Sequence, residues 1–245
     1  MSLSKNNLKL ITSLQQKKYR QKQKLFVAEG IKVVKELLNS SLEISQIYTT
    51  DDSLEFINGI DFTKISENEL KKISTLKKPN KVLGLFKIPE KSEEIINSNF
   101  ILVLDEVNDP GNLGTIIRLC DWFGVTELVC SKNTVDCYNQ KVVQSTMGSL
   151  TRVTISYVDL PSFLLSTTLP VYTADMNGDN VYTSKLPQKA ILVMGNEANG
   201  ISEEISEIVK HKLTIPRFGD IQQTESLNVA TATAILLSEF KRVMI

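Results

Sequence analysis

Beyond residue 99, six short apolar runs recur: FILVLDEV, ELVCS, VTISYV, PVYTAD, AILVMGN and KLTIP. Most are followed by a stretch with helical spacing. The runs are rich in β-branched residues and nearly continuous in their apolar character. Strands of that kind bury both faces, as parallel strands do when helices cover the sheet above and below. The expected fold is therefore α/β, and in such sheets ligands are taken by the loops beyond the carboxyl ends of the strands.

The polar segment IPEKSEEIINSN, residues 88–99, separates these runs from the apolar run KVLGLFKI and marks the expected domain boundary. Before it, residues 5–18 have helical spacing through Leu8, Ile11 and Leu14. LFVAEG, ISQIYTT and KVLGLFKI read as strands, and IKVVKELLNSS and ENELKKIS read as helices. Residues 1–90 are expected to form a small α/β domain and residues 99–245 a second, larger one.

Composition narrows the chemistry. The chain has 245 residues, 42% hydrophobic and 23% charged, an ordinary globular balance. No apolar run approaches the roughly 18–20 residues that span a bilayer, and the N-terminus has no apolar signal region. A cytoplasmic protein without membrane attachment is expected. Cys120, Cys130 and Cys137 show no CxxC spacing, which argues against a zinc site or a disulfide framework. His211 is the only histidine, so an HExxH metal site is impossible and any chemistry has to run without imidazole. No metal is expected. The formal net charge is zero, but residues 1–24 carry Lys5, Lys9, Lys17, Lys18, Arg20, Lys22 and Lys24 with no acid. Lys17, Lys18, Arg20, Lys22 and Lys24 are candidate contacts to nucleic-acid phosphates, and a solvated helix face is the alternative reading.

Three loops stand out. In LDEVNDPGNLGTIIRLCDWFGV, residues 104–125, a strand ends near Val107 and a helix is expected from about Leu113, with Asn112 as a possible cap. Arg118 lies among Ile116, Ile117, Leu119 and Cys120, and a charge in apolar company needs a partner or a function. The loop has neither G-x-G-x-x-G nor GK[ST], so it is not a dinucleotide or Walker loop. In ILVMGNEANGIS, residues 191–202, a buried strand runs into Gly195-Asn196-Glu197 and Asn199-Gly200. Glycine allows close backbone approach to a ligand, and Glu197 is placed to orient an amide or an arginine. In IPRFGDIQQTESLNVATATAILLSEFKR, residues 215–242, Ile215-Pro216 closes a strand and Ser226-Leu227-Asn228 opens a helix. Glu225, Ser226 and Asn228 also suit plain helix capping. Ala230, Ala232 and Ala234 permit close packing on a neighbouring helix or a second subunit.

Together the three loops resemble the signature motifs of the SpoU (TrmH) family of tRNA/rRNA 2′-O-ribose methyltransferases. Asn112, Gly114, Ile116 and Arg118 match N-x-G-x-I-x-R. Gly195, Glu197 and Gly200 match G-x-E-x-x-G. Ile215, Pro216, Ser226, Leu227, Asn228 and Val229 match I-P…S-L-N-V. The segment KVVQSTMGSLTRV, residues 141–153, and the opening of the chain are also similar to family segments. The stretch RFGDIQQTE, residues 217–225, is a few residues longer than the compact family pattern.

The resemblance implies a trefoil-knotted parallel-sheet (SPOUT) domain at the C-terminus, preceded by an L30e-like RNA-binding domain. It implies S-adenosylmethionine held near Met194, Gly195, Ile215 and Leu227, an RNA substrate, and a homodimer. Arg118 is then the leading catalytic residue, with Asn112, Glu197, Ser226 and Asn228 holding Arg118, the cofactor loops and the dimer in place. Two other readings are weaker. A conventional Rossmann methyltransferase calls for a glycine-rich first turn that VLDEVNDPGNLG lacks. A non-catalytic RNA-binding or ribosome-assembly factor has no need of the intact Asn112, Arg118, Glu197 and Ser226-Leu227-Asn228.

Overall fold

The computed structural model describes residues 3–90, 98–219 and 226–242. In chain order its elements begin with α1 (Lys5–Ser13), α2 (Lys17–Gln23), β1 (Leu25–Glu29), α3 (Ile31–Leu38), β2 (Ile44–Thr49), β3 (Phe62–Lys64), α4 (Glu67–Ile73) and β4 (Val82–Lys87). They continue with β5 (Phe100–Leu104), α5 (Pro110–Trp122), β6 (Glu127–Ser131), α6 (Gln140–Thr146), β7 (Thr154–Val158) and α7 (Leu160–Ser166). The last are β8 (Val171–Asn180), β9 (Ala190–Met194), α8 (Glu203–Ile208), β10 (His211–Thr214) and α9 (Val229–Arg242). The chain divides into two compact units, Met1–Glu93 with Asp136–Thr151, and Glu94–Val135 with Arg152–Ile245.

The first unit is a four-stranded sheet in the order β1-β4-β2-β3. Strand β4 is antiparallel to β1 and β2, and β2 is parallel to β3. Alternation decides which side chain faces which layer. Val27, Tyr48, Leu83 and Leu85 pack with Ile11, Leu14, Leu70 and Ile73 of the α1 and α4 layer. Phe26 faces the opposite way, its ring 5.8 Å from Phe86 and 4.8 Å from Tyr138. A capping box starts α4, where Ser66 accepts from the Glu69 amide and Glu69 accepts from the Ser66 amide.

The helix expected over residues 5–18 is two helices. The break at Leu14–Gln16 is held by Arg20, whose Nη1 donates to the carbonyls of Leu14 and Gln15, each at 2.9 Å. Strand β3 escaped the sequence reading because Phe62-Thr63-Lys64 is too short and polar to show a period.

The second unit is a six-stranded sheet in the order β10-β8-β9-β5-β6-β7, every neighbouring pair parallel. All five residues of β5 and of β9 are buried, as their unbroken apolar runs require. On one face Ile101, Val103, Val129, Ile191 and Val193 pack with Leu160 and Leu164 of α7 and Ile205 of α8. On the other, Phe240 of α9 lies 5.1 Å from Phe100 and 5.7 Å from Tyr172, ring to ring. Strand β8 runs past the expected PVYTAD. Its partners on β10 jump from Lys212↔Thr173 to Leu213↔Asp179, so the residues between bulge outward. Gly178 makes that return possible, since a Cβ there would lie 2.5 Å from the Lys212 carbonyl carbon.

Candidate active site at the carboxyl edge of the parallel sheet

The site is built where β5, β9 and the start of α9 meet. Asp105, beyond the last residue of β5, donates its N–H to the Met194 carbonyl at 2.8 Å, and its carboxylate accepts from the Ser202 N–H at 2.8 Å. Asp105 is buried, so the second loop is stitched to the first from below. Glu106 adopts a left-handed φ of 57° and its carbonyl accepts from Asn196 Nδ2 at 2.7 Å. Helix α5 starts earlier than the sequence suggested. Asp109 is its cap, accepting from the Asn112 N–H at 2.8 Å, and Pro110 takes the first turn, where a missing N–H does no harm. Asn112 therefore does not cap the helix, and its amide is available elsewhere.

It is used to tie the three loops together. Asn112 Nδ2 donates to Glu197 Oε1 at 2.8 Å, and Asn112 Oδ1 accepts from Asn228 Nδ2 at 2.9 Å. Asn228 Oδ1 in turn accepts from the amides of Ala230 and Thr231 at 3.0 and 3.2 Å, capping α9. Capping and site-building are thus one arrangement at Asn228, because an amide side chain presents an acceptor and two donors at opposite ends.

The glycines of the second loop act on the loop itself. Asn196 and Gly200 exchange backbone hydrogen bonds at 2.8 and 2.9 Å, and Gly200 has a φ of 70°. A Cβ on Gly195 would lie 2.3 Å from the Gly200 carbonyl carbon. The glycine spacing closes a tight turn that holds Glu197 out toward Asn112. Met194 is buried beneath it, Ile215 is half-buried, and Leu227 is 48% exposed. Ser226 is exposed.

Arg118 is on the solvent face of α5. Its apolar sequence neighbours Ile116, Ile117 and Cys120 are buried on the other side, so the guanidinium is not in apolar surroundings as the sequence suggested. Burial pushes the Cys120 thiol up to about 12, which removes it as a nucleophile near neutrality. The three cysteines are buried and none is in a disulfide. Among the described residues there is no cluster able to hold a metal ion, and no helix long and apolar enough to cross a membrane.

The basic segment belongs to the first unit. Lys17, Lys18, Lys22 and Lys24 are exposed on and just after α2. Arg20 is a correction: it is 2% exposed and paired with Asp136 at 2.5 Å, so it is not a surface contact for phosphate. Nothing in a run of basic residues shows which one turns inward. The buried Glu29, which the sequence reading passed over, accepts from the hydroxyl and N–H of Thr75, each at 3.0 Å, and from Ser74 and Gln140.

Residues 99–238 match the SpoU rRNA Methylase family, and residues 5–84 match the MRM3-like substrate binding domain. The chain belongs to the SpoU rRNA methylase family. The 23S rRNA (guanosine(2553)-2′-O)-methyltransferase of Bacillus subtilis is 32% identical over 231 residues, covering 91% of each protein. A putative RNA methyltransferase of the TrmH family from Porphyromonas gingivalis superposes with a TM-score of 0.86 at 35% identity, over 98% of this chain and 99% of that one. An AdoMet-bound rRNA methyltransferase from Sinorhizobium meliloti superposes at 0.85 with 28% identity, over 100% of this chain and 98% of the other. In this SpoU chain the three loops meet through two side-chain hydrogen bonds, from Asn112 to Glu197 and from Asn228 to Asn112.

Proposed function

We propose that this chain methylates the ribose 2′-hydroxyl of a ribosomal RNA at the carboxyl edge of its parallel sheet, using S-adenosylmethionine. The observation that carries the reading is the relay Glu197–Asn112–Asn228, which gathers three loops distant in sequence into one fixed group. The Bacillus relative is a 23S rRNA 2′-O-methyltransferase, and its substrate is the reason for choosing rRNA over tRNA.

The residues present fit the cofactor. The half-buried Ile215 and the 48% exposed Leu227 offer apolar surface for an adenine, and the chain leaves strands at Met194-Gly195 and Ile215-Pro216 with backbone polar groups to offer. The cofactor supplies a methyl group activated on a sulfonium, so the protein's work is positioning and proton removal. The protein would have to hold the ribose 2′-oxygen in line with that methyl group for the transfer. The hydroxyl proton has to leave in the same event. Arg118 is a poor base, because a guanidinium offers five N–H donors and no acceptor. Its role here is to hold an RNA phosphate beside the hydroxyl, so that a phosphate oxygen takes the proton. Glu197, Asn112, Ser226 and Asn228 are positioning residues that keep the loops in register.

Residues 1–90 form an L30e-like substrate-binding domain that meets RNA through Lys17, Lys18, Lys22 and Lys24, and residues 99–245 form the knotted methyltransferase domain, except that Asp136–Thr151 cluster with the first unit rather than the second as the sequence suggested. The enzyme works as a cytoplasmic homodimer. The end of α5 at Trp122, which is 84% exposed, is the surface a second copy would cover, leaving Arg118 open to RNA. Trp122 is the only tryptophan, so blue-shifted, quencher-resistant emission at micromolar protein is expected, and fully accessible emission would exclude that face.

The deciding experiment is methyl transfer from labelled S-adenosylmethionine to total RNA from cells lacking the gene, followed by size fractionation and nucleoside analysis. Label in a 2′-O-methylnucleoside of large-subunit rRNA is expected. Label in a methylated base, or in tRNA, would refute the reaction or the substrate respectively. Arg118→Ala is expected to abolish transfer while cofactor affinity is kept, and normal turnover by that variant would remove Arg118 from the mechanism.

A further inference from the structure

Two aromatic side chains stand in solvent at the carboxyl edge of the second unit without a role in the core. Phe218 is 82% exposed and Tyr182 41% exposed, and their ring centroids lie 6.1 Å apart with the planes inclined at 38°. They come from different places in the chain. Tyr182 follows β8 in a turn pinned by the Val181 N–H to the Thr214 carbonyl at 3.0 Å, and by the Tyr182 N–H to Asn180 Oδ1 at 2.9 Å. Phe218 follows β10 and the Ile215-Pro216 pair.

Strand register locates them. Val193 on β9 pairs with Thr173 on β8, and Thr173 pairs with Lys212 on β10. Beyond the bulge, Asn180 pairs with Thr214, two residues past Lys212. Gly195 is likewise two residues past Val193, so Thr214 and Asn180 are level with Gly195. Tyr182 and Phe218 thus lie just beyond the end of the sheet, Tyr182 after β8, the neighbour of the strand that leads to Glu197, and Phe218 after β10, one strand further out. Arg217 and Lys185 are exposed beside them in sequence.

We propose that Tyr182 and Phe218 form a stacking platform for a nucleobase of the substrate RNA, next to the ribose that is methylated. The proposal rests on the RNA methyltransferase reading and adds to it the residues that grip the base. An unpaired nucleobase is recognised by stacking on aromatic faces with cationic side chains near the backbone. A phenylalanine left this open to water is accounted for when a flat apolar partner covers it during the reaction.

The test is initial-rate methyl transfer to total RNA from cells lacking the gene, with the RNA and S-adenosylmethionine concentrations varied separately. Tyr182→Ala and Phe218→Ala are each expected to raise the apparent KM for RNA by about 5- to 150-fold, the range measured for loss of one base–aromatic stack. The KM for S-adenosylmethionine should stay unchanged. Tyr182→Phe and Phe218→Tyr, which keep the rings, should behave like the unaltered chain. A raised KM for S-adenosylmethionine with an unchanged KM for RNA would overturn the proposal and give the rings to the cofactor's adenine. Unchanged values for both would overturn it as well. No incorporation by the unaltered chain would instead overturn the RNA methyltransferase reading, and the platform with it.

Discussion

Replacing Arg20 with alanine tests whether a residue in the basic N-terminal run works on RNA or on the fold. The Arg20 side chain is 3% exposed and that of Asp136 is 15% exposed, with Nη2 and Nε of the arginine 2.5 and 2.9 Å from the same carboxylate oxygen. Nη1 also closes the carbonyls of Leu14 and Gln15 at the end of α1. Removing one partner of a buried pair costs about 3–5 kcal/mol, mostly from the charge left behind. Asp136 keeps some water and the Tyr138 N–H at 3.1 Å, so the lower end, about 3 kcal/mol, is expected. Against a total stability of roughly 5–15 kcal/mol that is a large loss. Urea unfolding followed by far-ultraviolet circular dichroism measures it. Lys18→Ala and Lys22→Ala are the contrast, since exposed substitutions change stability by about 0.5 kcal/mol or less. Each should lower the salt dependence of RNA binding by roughly one counterion. If Arg20→Ala unfolded at the same urea concentration as the unaltered chain and weakened RNA binding as the lysine variants do, the clasp argument would be refuted.

Other perturbations address the site and the sheet. Asn112→Ala removes both bonds of the relay and is expected to lower kcat by tenfold or more with little loss of stability, because Glu197 and Asn228 remain in contact with water; an unchanged kcat would dissolve the relay's role. Gly195→Ala places a Cβ 2.3 Å from the Gly200 backbone, a clash with no flexible atom to yield. A loss of about 1–3 kcal/mol is expected, with weakened S-adenosylmethionine binding, both measurable by thermal shift with and without cofactor. The Asn177 N–H and then Lys212 hold Asp175 below the usual carboxylate range. A carboxylate lowered in the folded state stabilises above the unfolded pKa of about 3.9 and loses that contribution as pH falls through its folded value. Asp175→Asn should therefore be less stable than the unaltered chain at pH 6, with the gap closing toward pH 2. A gap that does not depend on pH would show that Asp175 acts by packing alone.

Much of the fold was legible because its signals are local. The buried strands β5 and β9 announce themselves as unbroken apolar runs, and the polar stretch at 88–99 separates two differently patterned halves. The start of α5 was misplaced because Asp109 and Asn112 are both good caps, and only the backbone path shows that Asp109 takes the position. Strand β8 was cut short because its bulge breaks the apolar run, and its return depends on a neighbour on β10.

The sequence by itself determined the reaction class. It did so through the resemblance of three motifs, in their order along the chain, to the signature motifs of the SpoU family. Tertiary structure decided what each residue does within that class. It turned Arg20 inward to Asp136, 116 positions away, gave Asn112 to Glu197 rather than to its own helix, and set Tyr182 against Phe218. Motif order survives in one dimension because each motif is a short stretch of chain. Partnerships do not, because a hydrogen bond or a ring contact is set by distance and direction in space, and folding alone brings distant residues within reach.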